Sequence, residues 1–408
     1  MRRIFDPVHG FILLNDLESA LIDTVPFQRL RYIRQLGSAY LVYPGATHTR
    51  FEHSLGTMEL ASRIFDHMIV SEDSSSWLPE ATYAKQIVRL AALCHDLGHL
   101  PFSHTAEKLV LGAEGHERWT VMMIKSPIFK ELWERVGAKF PKQDVVEDLV
   151  KLAVGESKLQ QLGVSFTFSK WHQALGQIIA GDFFGADRID YLLRDARYTG
   201  VSYGMFDYHQ LIEMVRILPS HHSSRLEMGV EESGIEACEA LLVARHFMHR
   251  RVYQYGSVKS LAFHLARYIA EVLGPHFEQA SLETYLQWSD NEILSLLRSA
   301  QNQVDAVGRE EALCLMHRSK RFRAFSIHSV DKELLISIAS ELPKGAISWE
   351  MGSLNEEQEK EFPVLRRHGE VVSSKKLLHM HIPKHRSTWV YVAPEFASMV
   401  EGKLSQYM

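Results

Sequence analysis

Cysteine is scarce in this chain: Cys94, Cys238 and Cys314 are its three, odd in number and widely spaced. No CxxC pair occurs, so neither a disulfide framework nor a cysteine-held structural zinc is expected; core thiols in a reducing compartment are. Also lacking is any run of about 18 apolar residues, which argues against a membrane-spanning helix. The opening stretch "MRRIFDPVHGFILL" has basic residues but no long apolar core or small-residue cleavage site, so no secretory signal is expected. There is no basic excess either. A net charge of −5 over 408 residues gives no general nucleic-acid surface, although a local basic cleft is allowed. The expectation is a soluble cytoplasmic protein with no membrane contact.

What is present is ordinary globular material, 46% apolar and 23% charged, long enough for one large domain and an accessory lobe. Apolar residues recur at helical spacing in "FQRLRYIRQL" (27–36), "SLGTMELASRIFDHMI" (54–69) and "YAKQIVRLAALCHDLG" (83–98). Residues 234–255 and 258–273 show the same period, and 71–80 is a polar, proline-bearing loop. Strand-like composition enters later, at 318–330 and 387–394, around an acidic, mobile-looking stretch at 352–362. The predicted fold is mainly α: a helical core over residues 1–310, then a smaller mixed α/β lobe over 311–408.

Histidine is concentrated. "LCHDLGHLPFSHTAE" (93–107) holds three imidazoles and two acids directly after an apolar run, and burying such groups is costly unless each is bonded or paired. His95 and His99 are four apart and would share a helical face. Gly98 and Pro101 would break that helix and let His104 point back. Upstream, "HTRFEHSLG" carries Arg50 and His53; downstream, "GADRIDYLLRDARYTGV" places Asp187 three residues before Asp190 and four before Tyr191. His53, His95, Asp96 and Asp187 make a two-histidine, two-aspartate set suited to a divalent ion such as Mn, Fe, Zn, Ni or Mg.

"DPVHGFILL" (6–14), "IDTVPFQRLRYIRQLG" (22–37), "YPGATHTRFEHSLG" (43–56), "HDLGHLPFSH" (95–104) and "ADRIDYLLRD" (186–195) follow one another in a single order. That pattern resembles the HD superfamily of metal-dependent phosphohydrolases, and within it the deoxynucleoside triphosphate triphosphohydrolases, over roughly residues 3 to 270. The resemblance implies an HD-type helical core and His53, His95, Asp96 and Asp187 as metal ligands. It implies cleavage of a dNTP to the deoxynucleoside and inorganic triphosphate. His104 matches the general acid and Glu107 its orienting carboxylate, where relatives often have aspartate. His99 and His116 match histidines near the α-phosphate, and Arg50, Arg188 and Arg245 match phosphate contacts. Gln35, Tyr191 and Asp195 match the wall that holds the sugar, and Tyr253 the ring that packs against C2′. Asp23, Gln28 and Arg31 match guanine-reading positions of a GTP or dGTP activator site, which in the family goes with a homo-oligomer, dimer or tetramer. One departure stands out: bacterial relatives read "LDADR" where this chain has "FGADR", so Gly185 replaces a second carboxylate. Two other readings stay open, another HD phosphohydrolase acting on a nucleoside monophosphate or a guanosine alarmone, and a non-catalytic nucleotide sensor or single-strand binder.

Overall fold

A computed structural model describes residues 1–71, 78–220, 225–277, 280–328, 331–351, 361–380 and 387–408. The chain opens with a hairpin, β1 (Arg2–Asp6) antiparallel to β2 (Gly10–Leu14). Then come α1 (Asp16–Ile22), α2 (Val25–Arg29), α3 (Arg50–Ser71), α4 (Ala81–Cys94), α5 (Glu107–Val110), α6 (Gly115–Ile124), α7 (Lys130–Lys139), α8 (Val145–Val154), α9 (Glu156–Gln161), α10 (Lys170–Ala180), α11 (Ala186–Thr199) and α12 (Tyr208–Met214). Strands β3 (Val215–Pro219) and β4 (Leu226–Glu231) precede α13 (Ile235–Met248), α14 (Gly256–Phe277), α15 (Leu282–Leu286), α16 (Asp290–Ala300) and α17 (Arg309–His317). The remainder is β5 (Arg323–His328), α18 (Lys332–Ser340), β6 (Ile347–Glu350), β7 (Pro363–Leu365), β8 (Val371–Ser373), β9 (Ser387–Val392) and α19 (Ala397–Leu404). The fold is mainly α, with small sheets ordered β1-β2, β3-β4-β7-β8 and β5-β9-β6.

α4 explains where the site sits. Its apolar residues wrap the whole cylinder towards the C-terminal end, so Leu90, Ala91, Ala92, Leu93 and Cys94 are all buried. Each buried Leu, Ile or Val contributes about 1.5–3 kcal/mol, which makes the end of α4 a firm base for His95. α3 packs on α4 and on α11, so the three segments carrying His53, His95 and Asp187 meet in one core. Most buried apolar residues join that core, including Phe362, Val364 and Val372. A second, smaller cluster gathers Ile327, Leu335, Ile338, Val390, Val392, Val400 and Leu404.

Several local expectations are corrected. The helix predicted over 27–36 stops at Arg29, tightens into a 3-10 turn at Leu30–Tyr32, and becomes extended at Ile33. Arg34 is drawn instead into a bridge with Thr49, at the entrance to α3. The helix predicted over 83–98 ends at Cys94, so His95 and His99 do not share a helical face. Gly98 lies so close to α6 that a Cβ there would sit 2.1 Å from the His116 carbonyl oxygen and 2.5 Å from the Thr120 nitrogen. The chain therefore turns, with His99 N–H donating to Asp96 O at 3.2 Å. Four strands, β1 to β4, occur within the first 270 residues, inside the span expected to be a helical core. β5 and β9 fall within the two stretches predicted to favour strands. Most of the 71–80 loop and of the acidic stretch at 352–362 lies outside the described residues.

Candidate active site

His53 enters from the first turn of α3 and is fully buried. Its Nδ1 bonds Asp190 Oδ2 at 2.8 Å, while its Nε2 lies 3.0 Å from Asp187 Oδ1 and 3.5 Å from Asp96 Oδ2. His95, capping α4, bonds the Ala92 carbonyl through Nδ1 at 2.8 Å. Its Nε2 stands 3.4 Å from Asp96 Oδ1 and 3.7 Å from Asp187 Oδ1. With each Nδ1–H committed, each Nε2 presents a lone pair. Both Nε2 atoms are buried and make no hydrogen bond. The two imidazole lone pairs and the Asp187 carboxylate converge closely enough to share one divalent cation, with Asp96 beside them and one of its oxygens held by Arg50.

The charges agree. Burial works against protonating His53, but the Asp187 and Asp190 carboxylates against its two nitrogens outweigh it and push its pKa up to about 10. Burial raises Asp187 and Asp96, yet the neighbouring histidines, and for Asp96 first of all Arg50, hold both carboxyls below the usual range. The pocket is built to hold positive charge.

Beside it stands a second cluster. Glu107 accepts from His104 Nδ1 at 2.5 Å through one oxygen and from His116 Nδ1 at 2.7 Å through the other. His116 N–H also donates to it, at 2.8 Å. Burial opposes ionisation of Glu107, but these two histidines win and hold its carboxyl far below the usual range. His99 stacks on His116 with ring centroids 3.7 Å apart and has Nε2 3.2 Å from Asp96 Oδ1. Burial, then Arg50 and His116, drive its pKa well down, so His99 is a neutral imidazole. His104 is 64% exposed, with its ring 4.6 Å from that of His99.

A cavity of about 1810 Å³ joins these groups; its lining includes Gln35, Arg50, His95, Asp96, His99, His104, Glu107, His116, Asp187, Tyr191, Asp195 and Tyr253. Gln35 has a buried Oε1 without a bond. Asp195 accepts from Tyr253 O–H at 2.7 Å and is 2.8 Å from His48 Nε2. Tyr253 sits in a five-residue π-turn, His249–Tyr253, its ring 6.3 Å from that of Tyr191. Arg50 is not a free cation, since it donates to Asp96 at 2.6 Å and to Ser103 Oγ at 2.9 Å. Arg188 and Arg245 lie outside the cavity lining: the first donates to the Phe183 carbonyl at 3.3 Å, and both act on Tyr191. Asp23, Gln28 and Arg31 lie elsewhere, on the surface around α2. Arg31 bonds Gln28 at 2.9 Å, and Asp23 pairs with Arg2 at 2.7 Å.

A model named "HD domain" matches residues 50–188, and one named "HD associated region" matches 206–341. A crystal structure of a hypothetical protein from Aquifex aeolicus superimposes with a TM-score of 0.76 at 30% identity over 99% of both chains. The Bacillus subtilis protein YwfO, uncharacterised, is 33% identical over 74% of this chain and 67% of its own. The chain belongs to the HD-domain family. An uncharacterised Methanocaldococcus jannaschii protein is 31% identical over 83% of this HD-domain chain and 64% of its own length. Human deoxynucleoside triphosphate triphosphohydrolase SAMHD1 is 33% identical over 62% of the chain and 42% of its own. The chain thus spans about two thirds or less of these curated relatives. Among the described residues no helix is long and apolar enough to cross a membrane.

Sequence reading of this HD domain passed over Asp190 as a working residue. It is wholly buried and bonds His53, His9 at 2.6 Å and Arg194 at 2.8 Å, while Arg194 reaches Asp6 at 2.8 Å. The signal was available, because Asp187, Asp190 and Arg194 are spaced three and four on α11. The unusual Gly185 also has a physical basis. A Cβ there would meet the backbone of the preceding turn, 2.5 Å from Gly181 N and 2.7 Å from Ile179 O. A carboxylate at this position has no room, whatever relatives do with one.

Proposed function

We propose that this protein hydrolyses deoxynucleoside triphosphates to the deoxynucleoside and inorganic triphosphate. One observation carries the reading: a single cavity is lined by His95, Asp96 and Asp187 of the cation-demanding set, by the histidine–glutamate cluster and by a polar-aromatic wall of Gln35, Tyr191, Asp195 and Tyr253. Its core is assigned to residues 1–310, with 311–408 as an accessory lobe. When bound at His53, His95, Asp96 and Asp187, a divalent cation supplies a Lewis acid that brings the pKa of water near neutrality. His104, held by Glu107, donates a proton from Nε2 to the departing 5′ oxygen as the α-phosphorus–oxygen bond breaks. His99, a neutral imidazole, and the His116 stacked on it line the path of the α-phosphate. Gln35 Oε1 accepts from the 3′-hydroxyl, and Asp195, already fixed by Tyr253 and His48, sits beside it. Self-association and activation by GTP or dGTP through Asp23, Gln28 and Arg31 belong to the same proposal.

Incubating each dNTP with Mn²⁺, with and without GTP, tests it directly. Intact triphosphate without orthophosphate is expected; orthophosphate or pyrophosphate, or no turnover under any condition, sinks the reading. The sugar wall has its own test. Tyr253→Ala opens space at C2′, so the preference for dATP over ATP in kcat/KM, worth up to about a hundredfold where packing alone excludes a hydroxyl, is expected to fall towards unity. An unchanged ratio means the sugar is read elsewhere.

A further inference from the structure

The loop from His95 to His104 carries three of the proposed working histidines, and its hold comes from outside the matched HD domain. Phe102 and Ser103 both have φ of +58°, the left-handed region that non-glycine residues avoid, and both are buried. Two such residues in succession persist only where their surroundings impose them. The constraint is visible. Asp290, the first residue of α16 and 1% exposed, accepts from Phe102 N–H at 2.6 Å through Oδ1. Its Oδ2 accepts from the backbone and side chain of Arg34, at 3.0 and 3.2 Å. Five residues earlier, Tyr285 donates its hydroxyl to the Gly98 carbonyl at 2.5 Å. Tyr285 is itself fixed by stacking on Trp119 at 3.8 Å, and Arg29 donates to the carbonyl of Trp288, between the two anchors, at 2.8 Å.

We infer that Tyr285 and Asp290 are positioning residues for the reaction, a clamp that bends the turn at Phe102–Ser103 and so aims His104. The inference rests on the phosphohydrolase reading for its kinetics but not for its geometry. Neither residue lines the cavity, and neither acts on the reacting atoms. Asp290 works through the turn itself and through Ser103, whose Oγ donates to Arg34 O at 2.6 Å and accepts from Arg50. Two acceptor oxygens are required, one for each side of the clamp. Asparagine supplies one acceptor and turns a donor towards another donor.

The test compares two leaving groups. Departure of a deoxynucleoside alkoxide needs a proton from His104, whereas p-nitrophenolate leaves unaided. With dGTP and Mn²⁺, Asp290→Asn is expected to lower kcat about 10- to 100-fold, less than the roughly 100- to 10,000-fold of a lost general acid because the acid is misaimed and not removed. KM and bound Mn²⁺ per chain should stay within about threefold, as should turnover of bis(p-nitrophenyl) phosphate. Tyr285→Phe, which removes only a hydroxyl, should show the same pattern at smaller amplitude. Equal losses on both substrates, lost metal, or unchanged dGTP turnover overturn the inference. A wild type that cleaves no dNTP refutes the nucleotide reading alone. The crystal structure of Asp290→Asn then decides: Phe102 and Ser103 leaving the left-handed region support the clamp, and an unmoved turn refutes it.

Discussion

Asp187→Ala is expected to strip the bound metal and lower kcat by about four orders of magnitude or more, a scale set by removing the group that makes the nucleophile. Asp187 Oδ1 faces both free imidazole nitrogens, 3.0 Å from His53 Nε2 and 3.7 Å from His95 Nε2. Asp96 is already counted in the set, and with Oδ2 accepting from Arg50 it has no second oxygen to offer in place of Asp187. Three ligands without the central carboxylate leave a site of lower charge, and divalent affinity falls with charge. The fold should survive, since Asp187 is one-third exposed at the start of α11. Asp190→Ala should do the opposite in kind. It leaves the Arg194 guanidinium buried with only Asp6 and the more distant Glu52, and breaking a buried ion pair costs about 3–5 kcal/mol; the thermal midpoint should drop sharply. Metal analysis by mass spectrometry, set beside turnover and thermal melts, separates the two. Metal retained in Asp187→Ala with turnover intact removes it from the ligand set.

How far these groups could be read from residues alone depended on whether chemistry or packing selected them. Cation ligands must be histidine or carboxylate whatever surrounds them, so His53, His95, Asp96 and Asp187 stand out even when 134 positions separate the first from the last. The helices α3, α4, α11 and α14 were legible for a related reason, because burial on one face forces the period of 3.6. The β1–β2 hairpin was not. Its two five-residue strands each mix exposed and buried apolar side chains, with Phe5 and Phe11 both 67% exposed, so no clean alternation marks them. β7 pairs with β4 in parallel across more than 130 residues, a contact no local pattern encodes. Asp290 escaped notice because its role lies in accepting backbone N–H groups, which any segment possesses. The same holds for Gly185, whose meaning came only from the backbone packed around it.

Glu107→Ala is expected to lower kcat on dNTPs about 100- to 1000-fold, within the span for a lost acid–base partner, with metal content unchanged. One carboxylate here orients two imidazoles, through separate oxygens, and also accepts the His116 backbone N–H. By holding both Nδ1 protons it directs both Nε2 atoms away from itself. Its negative charge also lies against the His104 ring, the group proposed to give up the proton. His104 is otherwise exposed on the cavity rim, so without Glu107 nothing among its hydrogen bonds fixes the ring. Glu107→Gln separates the two contributions. The amide oxygen can still accept from one histidine, but the amide nitrogen meets the other as a donor, and no negative charge remains beside either ring. The ionic contribution thus predicts that Glu107→Gln lies close to Glu107→Ala in kcat. If the glutamine variant keeps wild-type kcat, orientation by one hydrogen bond suffices and the charge on Glu107 is dispensable. Bound Mn²⁺ decides between a local and a wider effect, because the carboxylate touches His104 and His116 but none of His53, His95, Asp96 or Asp187.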